Sequence, residues 1–144
     1  MSSMPGKCFL DTNVFIYAID SSTDLKKKSA TARQLIEEYI RNEEGVISIQ
    51  VLQEFYQVST RKIQVPLSSR DALEYLQYIS VLDTVHPDFE MIVAGIHIHE
   101  KKMISFWDAL IVQSALSAGC TRLFTEDLQH GLKIDRLIVE NPFL

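Results

Sequence analysis

Short apolar segments alternate with helix-like segments along the sequence, and this alternation is the feature that most constrains the fold. The apolar segments predict strands at 7–11, 46–48, 81–85, 121–125 and 136–141. Helical patterns fill the intervals, at 13–20, 26–42, 49–62, 69–79, 87–101 and 105–119. Strands that are short, apolar throughout and separated by helices are typical of a parallel sheet covered on both faces. We therefore predict an α/β fold.

Four residues are expected to mark the ends of these helices. Gly45 is predicted to end the helix at 26–42. Ser48 is expected to cap the helix at 49–62, and Pro87 to open the one that follows the third strand. Gly119 is predicted to stop the helix that begins near Ser105, which is apolar nearly all round, Trp107 included, and is therefore expected to be buried.

Length and charge narrow the class of protein. The chain has 144 residues, of which 47% are hydrophobic, and this fits one domain over residues 1–144. The net charge is −5, which argues against nucleic-acid binding by bulk charge alone. Local basic patches, or a phosphate contacted through a metal ion, remain compatible with it.

The cysteines and the N-terminus indicate a cytoplasmic protein. Cys8 and Cys120 lie in or beside apolar segments without a CxxC spacing, so we expect reduced core residues. The first residues, MSSMPGK, carry one basic residue and no long apolar stretch follows, so a signal peptide is not expected. No segment approaches the ~20 apolar residues of a membrane span.

Four acids lie in apolar surroundings, and each has an ordinary structural interpretation when taken alone. Asp11 and Asp127 are possible helix or turn caps, and Asp108 fits a capping box with Ser105. Glu54 lies mid-helix without a cation at the positions three or four residues away. Asp11 falls at the carboxyl end of the first predicted strand and Asp127 just beyond the fourth. Ligands bind at such strand ends in open α/β sheets.

Considered together, the four acids predict a metal site. Carboxylates that crowd together repel and raise each other's pKa unless a cation neutralises them. Ligand sets made only of oxygen suit hard ions such as Mg²⁺ or Mn²⁺. A metal ion held in this way takes phosphate oxygens as further ligands and activates water, which is the chemistry of phosphodiester hydrolysis.

Several motifs carry a resemblance to a known family. FLDTNVFIYA, an acid near residue 54, FWDALIVQSA and LFTEDLQHG occur here in the order and spacing of the PIN-domain family. Within it, the chain most resembles the VapC-type toxins of toxin–antitoxin pairs, over essentially its whole length. The resemblance implies a single PIN-like domain with a five-stranded parallel sheet flanked by helices. It also implies a Mg²⁺- or Mn²⁺-dependent endoribonuclease that is the toxin of a type II toxin–antitoxin pair.

The resemblance also assigns the site residues. The expected catalytic and metal-binding quartet, with its two supporting polar residues, is Asp11, Glu54, Asp108 and Asp127 with Asn13 and Thr125. Asp11 and Asp108 are expected to bind the main ion directly, and Asp127 directly or through water. Glu54 is expected to bind a second ion or to orient the attacking water. Glu126 competes with Asp127 for the fourth place, and the family pattern favours Asp127.

Partners follow from the resemblance too. The expected partners are an RNA substrate, a cognate antitoxin laid across the acidic groove, and a second copy in a homodimer. Two alternatives remain at this point: a PIN-type nuclease in RNA maturation, and a non-catalytic PIN-like module that binds nucleic acid. Gene context distinguishes the toxin from the maturation enzyme.

Other charged residues are less informative. Lys26, Lys27, Lys28 and Arg33 form either a solvated helix face or a strip that guides RNA, with Arg61–Lys62 and Lys101–Lys102 as weaker candidates. His97 and His99 lack the i,i+4 spacing of a helical zinc site. The sequence shows no motif for an aromatic platform, so it predicts no RNA sequence preference.

Overall fold

The computed structural model describes residues 6–144. Its strands are β1 (Cys8–Leu10), β2 (Gly45–Ser48), β3 (Asp83–Val85), β4 (Arg122–Phe124), β5 (Lys133–Ile134) and β6 (Leu137–Glu140). Its helices are α1 (Thr12–Ile19), α2 (Lys26–Arg41), α3 (Ile49–Arg61), α4 (Ser69–Ile79), α5 (Phe89–Lys102) and α6 (Phe106–Ser117), with a 3₁₀ turn at Thr23–Leu25. All five predicted strands and all six predicted helices are present.

The six strands form one sheet in the order β3-β2-β1-β4-β6-β5. The first five in this order are parallel neighbours, and only β5 pairs antiparallel, with β6. The α/β class is therefore confirmed, with one strand more than the expected five. The order of the strands reverses at β1, which lies between β2 and β4. Crevices for ligands open at such a reversal, beyond the carboxyl ends of the strands.

Aromatic side chains from four elements build the core around this reversal. Phe9 of β1, Phe15 of α1, Phe55 of α3 and Phe124 of β4 are all fully or almost fully buried. Burial of one such side chain contributes about 1.5–3 kcal/mol relative to an exposed one. These residues anchor the strands and helices that carry the acids, so the core fixes the framework of the site.

The helix ends correct three of the predictions. Gly45 does not end α2, because that helix ends at Arg41 with Asn42 as its C-cap, and Gly45 is the first residue of β2. Glu43 instead adopts the left-handed backbone conformation, at φ 59°. Ser48 lies at the N-cap position of α3, but its side chain makes no capping bond and its Oγ is buried without a hydrogen-bond partner. Asp88, not Pro87, caps α5 by accepting from the N–H of Met91.

The helix α6 is only partly buried, which corrects another expectation. Its inner residues include Ala109, Val112 and Ala115, which are fully buried, whereas Trp107 is 61% exposed. The prediction from apolar composition was therefore too broad, because only one side of α6 is covered by the rest of the protein. The predicted stop at Gly119 is confirmed, since α6 ends at Ser117 and Gly119 has a φ of 76°.

The cysteines agree with the prediction, and both Cys8 and Cys120 are buried and unpaired. Among the helices of residues 6–144, none combines the length and apolar character needed to cross a bilayer. The expectation about the N-terminal segment falls mostly on residues 1–5, which lie outside the described part of the chain.

Gly45 is predicted to be required for close packing at the start of β2. A Cβ at this position would lie 2.7 Å from Leu82 Cδ2 and 3.1 Å from Tyr39 Cβ. We expect Gly45→Ala to lower the free energy of unfolding by about 1–3 kcal/mol, as overpacking does elsewhere. Urea unfolding measures this loss. Because Leu82→Val shortens the closest neighbour, the double variant should lose less than the sum of the two single variants. An unchanged midpoint for Gly45→Ala would contradict the prediction.

Candidate active site

Asp11 is the most buried of the four predicted acids, with 4% of its surface exposed. It follows β1 directly and caps α1, where its Oδ1 accepts a 2.7 Å hydrogen bond from the N–H of Thr12. Its Oδ2 accepts a 2.7 Å bond from the hydroxyl of Thr125, the residue after β4. The N–H of Asp11 also donates to the carbonyl of Phe124, so β4 fixes both the backbone and the side chain of Asp11.

The surroundings of Asp11 disfavour its charge. Burial is the main cause and raises the pKa of this carboxyl from 3.8 to about 7. The hydrogen bonds from Thr125 and Thr12 lower the pKa, while the negative charges of Asp127 and Glu54 raise it further. The capping role and the placement in the site are therefore both true of Asp11. Near neutral pH its charge is balanced between two states, so a nearby cation would strongly favour the ionised form.

Thr125 links Asp11 to Asp127 through a directed set of hydrogen bonds. Its hydroxyl donates to Asp11 and accepts from the side chain of Asn13 at 3.3 Å and from the N–H of Asp127 at 3.1 Å. The amide of Asn13 also donates to Oδ2 of Asp127 at 3.3 Å, which sets the direction of that carboxylate. The Oδ1 of Asn13 is buried and has no hydrogen-bond partner. The structure thus brings the two supporting residues into contact with two of the acids.

Glu54 joins the same site from the middle of α3. Its Oε1 accepts a 2.9 Å bond from the hydroxyl of Thr12, which directly follows Asp11. Its Oε2 lies 3.3 Å from Nε2 of Gln50, one turn earlier on α3. The same amide nitrogen donates to the carbonyl of Trp107 at 3.2 Å, so Gln50 connects α3 to the first turn of α6.

Asp108 lies in that first turn of α6, where its N–H donates to Oγ of Ser105 at 3.0 Å. The predicted cap is therefore present, yet the carboxylate also acts on the site. Partial burial, followed by the charges of Asp108 and Glu126, raises the pKa of Asp127. Glu54 contributes to the same shift, and Asn13 opposes it. The four predicted acids are thus coupled electrostatically. The charges of Asp108 and Glu54 raise the pKa of Asp127, and the charges of Asp127 and Glu54 raise the pKa of Asp11.

Glu126 faces a different set of partners from Asp127. Its Oε1 accepts a 2.6 Å hydrogen bond from the hydroxyl of Tyr17, and its Oε2 lies 3.7 Å from Nζ of Lys28. Asp127, by contrast, is the neighbour that contacts Asn13. The choice of Asp127 over Glu126 as the fourth acid stays a prediction.

A cavity of about 430 Å³ opens beside these residues. Its lining includes Glu54, Asp127 and Glu126, together with Lys62 at the end of α3. A larger cavity, of about 1100 Å³, lies along β2 and β3 and includes none of the four predicted acids. Two of the four predicted acids, Glu54 and Asp127, therefore border the smaller cavity.

The donor chemistry fits a hard divalent cation, although the side chains do not form a ready cage. Within residues 6–144, no three His, Cys, Asp or Glu side chains are arranged to hold a metal ion as they stand. The available donors are nevertheless all oxygens, from coupled carboxylates and from the buried Oδ1 of Asn13 that lacks a partner. Such oxygens suit Mg²⁺ or Mn²⁺.

The basic cluster on α2 is partly engaged inside the protein. Lys28 pairs with Glu126, and Arg33 donates to the carbonyl of Ala18 at 3.3 Å and to the hydroxyl of Ser29. Only Lys26 and Lys27 of that cluster are exposed without such a contact among the described residues. Lys62, a weaker candidate from the sequence, is the one that lines the cavity.

Sequence reasoning missed Thr12, Tyr17 and Gln50. Each is an ordinary helix residue by type. Thr12 and Tyr17 contact acids from distant parts of the chain, whereas Gln50 contacts Glu54 one turn away on the same helix. One available signal was the spacing of Asn13 and Tyr17, which are four residues apart and therefore share a face of α1.

The raised pKa of Asp11 predicts a pH dependence of stability in the absence of metal ions. Unfolded Asp11 releases its proton near pH 3.8, whereas the folded carboxyl keeps it up to about pH 7. The native state therefore binds more protons in this window, and the contribution of Asp11 to stability falls as the pH rises from about 4 to 7. We expect this fall to be absent in Asp11→Asn, so the stability difference between variant and wild type should grow by a few kcal/mol, to order of magnitude.

Urea unfolding in EDTA at several pH values measures this difference. The exposed Asp24, which lies in the 3₁₀ turn, provides the control Asp24→Asn. If the free energy of unfolding changes with pH in the same way for wild type and Asp11→Asn, the raised pKa of Asp11 is contradicted.

Comparisons with known proteins agree with this architecture. No curated protein sequence matches the chain significantly. The structure is similar to a chain of the DNA-bound VapBC complex from Salmonella typhimurium (TM-score 0.67, 22% identity, covering 96% of this chain and 99% of that one). It is also similar to a chain of the promoter-bound VapBC2 complex from Rickettsia felis (0.66, 24%, 93% and 97%).

A third similar structure is that of VapC20 from Mycobacterium tuberculosis, described as a toxin that cleaves the sarcin–ricin loop (TM-score 0.64, 17% identity, covering 84% of this chain and 92% of that one). At these identities the likeness establishes a shared fold. The model of the PIN domain matches residues 8–133, which is most of the sequence. With this match and the strand order described above, the chain belongs to the PIN-domain family.

Proposed function

We propose that the protein is a metal-dependent endoribonuclease and the toxin of a type II toxin–antitoxin pair. The observation that carries the proposal is the state of Asp11. This carboxyl is buried at the reversal of strand order, lies among coupled carboxylates, and has a pKa raised to about 7. A protein gains no stability from such an arrangement without a counterion, whereas a nuclease needs it to hold a cation beside a phosphate.

In this proposal, the acids divide the work as the family resemblance implies. Asp11 and Asp108 bind the main ion, and Asp127 binds it directly or through a water molecule. Side-chain rotation of the more exposed acids would complete the ligand set around the fixed Asp11. The bound Mg²⁺ or Mn²⁺ supplies positive charge for the phosphate and lowers the pKa of water. Glu54, fixed by Thr12, orients the attacking water or holds a second ion.

Thr125 and Asn13 act as supporting residues. Thr125 donates a hydrogen bond from its hydroxyl to Oδ2 of Asp11 and thereby holds that carboxyl group in place. Asn13 holds Asp127 through its amide group and leaves its Oδ1 without a partner, ready for a water or ion. Both residues keep the acids close together despite their mutual repulsion.

RNA is the proposed substrate, and local cations support it in spite of the net charge of −5. Lys62 lines the cavity beside Glu54, where it is placed to contact a phosphate of the substrate. VapC20, which shares the fold, is described as a toxin that cleaves the sarcin–ricin loop. Which RNA this chain cleaves depends on contacts outside the four acids.

A protein partner is part of the proposal. Two of the similar structures are VapBC complexes, and α5 and α6 expose large apolar side chains that suit protein contacts. These are Phe89, Ile92, Ile96, Met103 and Trp107. We include a cognate antitoxin, a homodimer and a cytoplasmic location in the proposal. Residues 1–144 form its single domain.

A nuclease of RNA maturation is the alternative that remains, because it would use the same site. A non-catalytic module is less well supported, since all four acids are present and coupled.

The first prediction from this function concerns the acids. We expect purified protein to cleave RNA in Mg²⁺ or Mn²⁺ and to lose this activity in EDTA. Asp11→Asn and Asp108→Asn should each lower the rate by at least about 100-fold while the fold survives, because each removes a charged ligand. Gel analysis of RNA cleavage, with circular dichroism as the check of folding, measures both. Glu37→Gln, on the exposed face of α2, is the control that removes one negative charge outside the site. Equal activity in wild type and both Asn variants would end the nuclease assignment.

The second prediction concerns the biological role. Induced expression in a bacterial host should arrest growth, and co-expression of the small gene beside this one should relieve the arrest. The Asp11→Asn variant should not arrest growth at matched protein levels, because its site lacks the main ligand. Unimpaired growth of the host with active wild-type protein would favour the RNA-maturation enzyme instead.

A further inference from the structure

Two adjacent acids after β4 point to different partners on one helix. Asn13 and Tyr17 lie four residues apart on α1 and therefore on the same face. Asn13 donates to Oδ2 of Asp127, while Tyr17 donates to Oε1 of Glu126. Both acids line the same cavity, together with Asn13 and Tyr17. One face of α1 thus contacts the two carboxylates through different residues, Asn13 for Asp127 and Tyr17 for Glu126.

We propose that Tyr17 and Lys28 are positioning residues that hold Glu126 away from the cation site and leave that place to Asp127. This inference rests on the proposed function, since it concerns the same cation. It adds an arrangement of residues, here called the Glu126 clamp and made of Tyr17, Lys28 and Glu126, which the four-acid site does not include.

The contact with Tyr17 is the strong part of the clamp. A hydroxyl that donates to a carboxylate at 2.6 Å is a short, charge-assisted hydrogen bond. The Lys28–Glu126 pair is weaker, because its 3.7 Å separation and side-chain exposures of 40% and 28% leave it screened by solvent. Lys28 Nζ also donates to the Tyr17 hydroxyl at 3.3 Å, which directs the tyrosine proton towards Glu126.

The ring of Tyr17 is itself held in place. Phe143 contacts it edge-to-face, with 4.7 Å between ring centroids, and Nζ of Lys28 lies 4.9 Å from the ring centroid. The hydroxyl is therefore presented to Glu126 by packing from the C-terminal segment and from α2. A freely rotating tyrosine would not separate the two acids in this way.

Release of Glu126 would change the cation site. Its charge already acts on Asp127, whose pKa it helps to raise. Without the Tyr17 hydroxyl, Glu126 is free to turn within the cavity that it shares with Asp127. An additional carboxylate near the ion would strengthen cation binding and compete with Asp127 for its place. The clamp thus prevents Glu126 from becoming an additional carboxylate ligand of the ion.

Binding of Mn²⁺, measured by isothermal titration calorimetry on the full chain, tests the clamp without relying on activity. Tyr17→Phe removes the hydroxyl without a change of charge, and we expect it to bind Mn²⁺ about threefold more tightly, a change typical of one exposed charge contact. Glu126→Gln should bind Mn²⁺ close to wild type, and Tyr17→Phe should have no further effect in the Glu126→Gln background. Tyr56→Phe, which loses a 2.8 Å contact with Ser69 on the surface, is the matched control.

The outcomes separate the clamp from the proposed function. Tighter binding in Tyr17→Phe that disappears in the double variant supports the clamp. If wild type binds Mn²⁺ and Tyr17→Phe alters binding equally with and without Glu126, or not at all, the clamp is overturned while the function stands. If wild type binds no Mn²⁺, the proposed function fails and the clamp fails with it. Thermal unfolding of each variant confirms that the compared proteins are folded.

Discussion

The arrangement of the candidate site depends on the burial of one carboxyl group beside β1 and β4. Asp11 is held there by the N–H of Thr12 and the hydroxyl of Thr125, and these bonds offset only part of the cost of removing its charge from water. The protein therefore carries a group whose ionised form lacks sufficient stabilisation within its own fold. Any cation that enters the site relieves this cost, so cation binding and local stability are linked.

The first turn of α1 also holds the other acids near Asp11. Asp11 caps it, Thr12 reaches Glu54 on α3, and Asn13 reaches Asp127 beyond β4. Tyr17, on the next turn, takes Glu126. One helix thus contacts acids from two distant parts of the chain, α3 and the segment after β4, and its position is fixed by the fully buried side chains of the core. A shift of α1 would therefore disturb every one of these contacts together.

The sequence predicted the framework well because strands, helices and acids at strand ends follow local patterns. Asp11 and Asp127 were predicted to converge from the rule on strand ends, and Glu54 and Asp108 joined them because both lie in apolar surroundings on predicted helices. The family resemblance then assigned roles to the four acids. The pair Lys133–Ile134 was missed because two residues have no periodicity. Gly45 was assigned to a helix end because glycine is common there, whereas here it allows Leu82 and Tyr39 to pack closely against β2. Such choices depend on tertiary contacts that composition does not contain.

The competing interpretations of Asp11, as a helix cap and as a site acid, describe one physical arrangement. A cap needs a carboxylate oxygen near the first N–H groups of a helix, and a parallel sheet places that helix start in the crevice beyond the strand. The capping bond uses Oδ1 and the Thr125 bond uses Oδ2, which fixes the plane of the carboxylate but leaves each oxygen a lone pair. The cap therefore orients the carboxylate at little extra cost, because the geometry that starts α1 also directs the remaining lone pairs. The same two hydrogen bonds therefore start α1 and orient the carboxylate of Asp11, and a cation near this group would favour its ionised form.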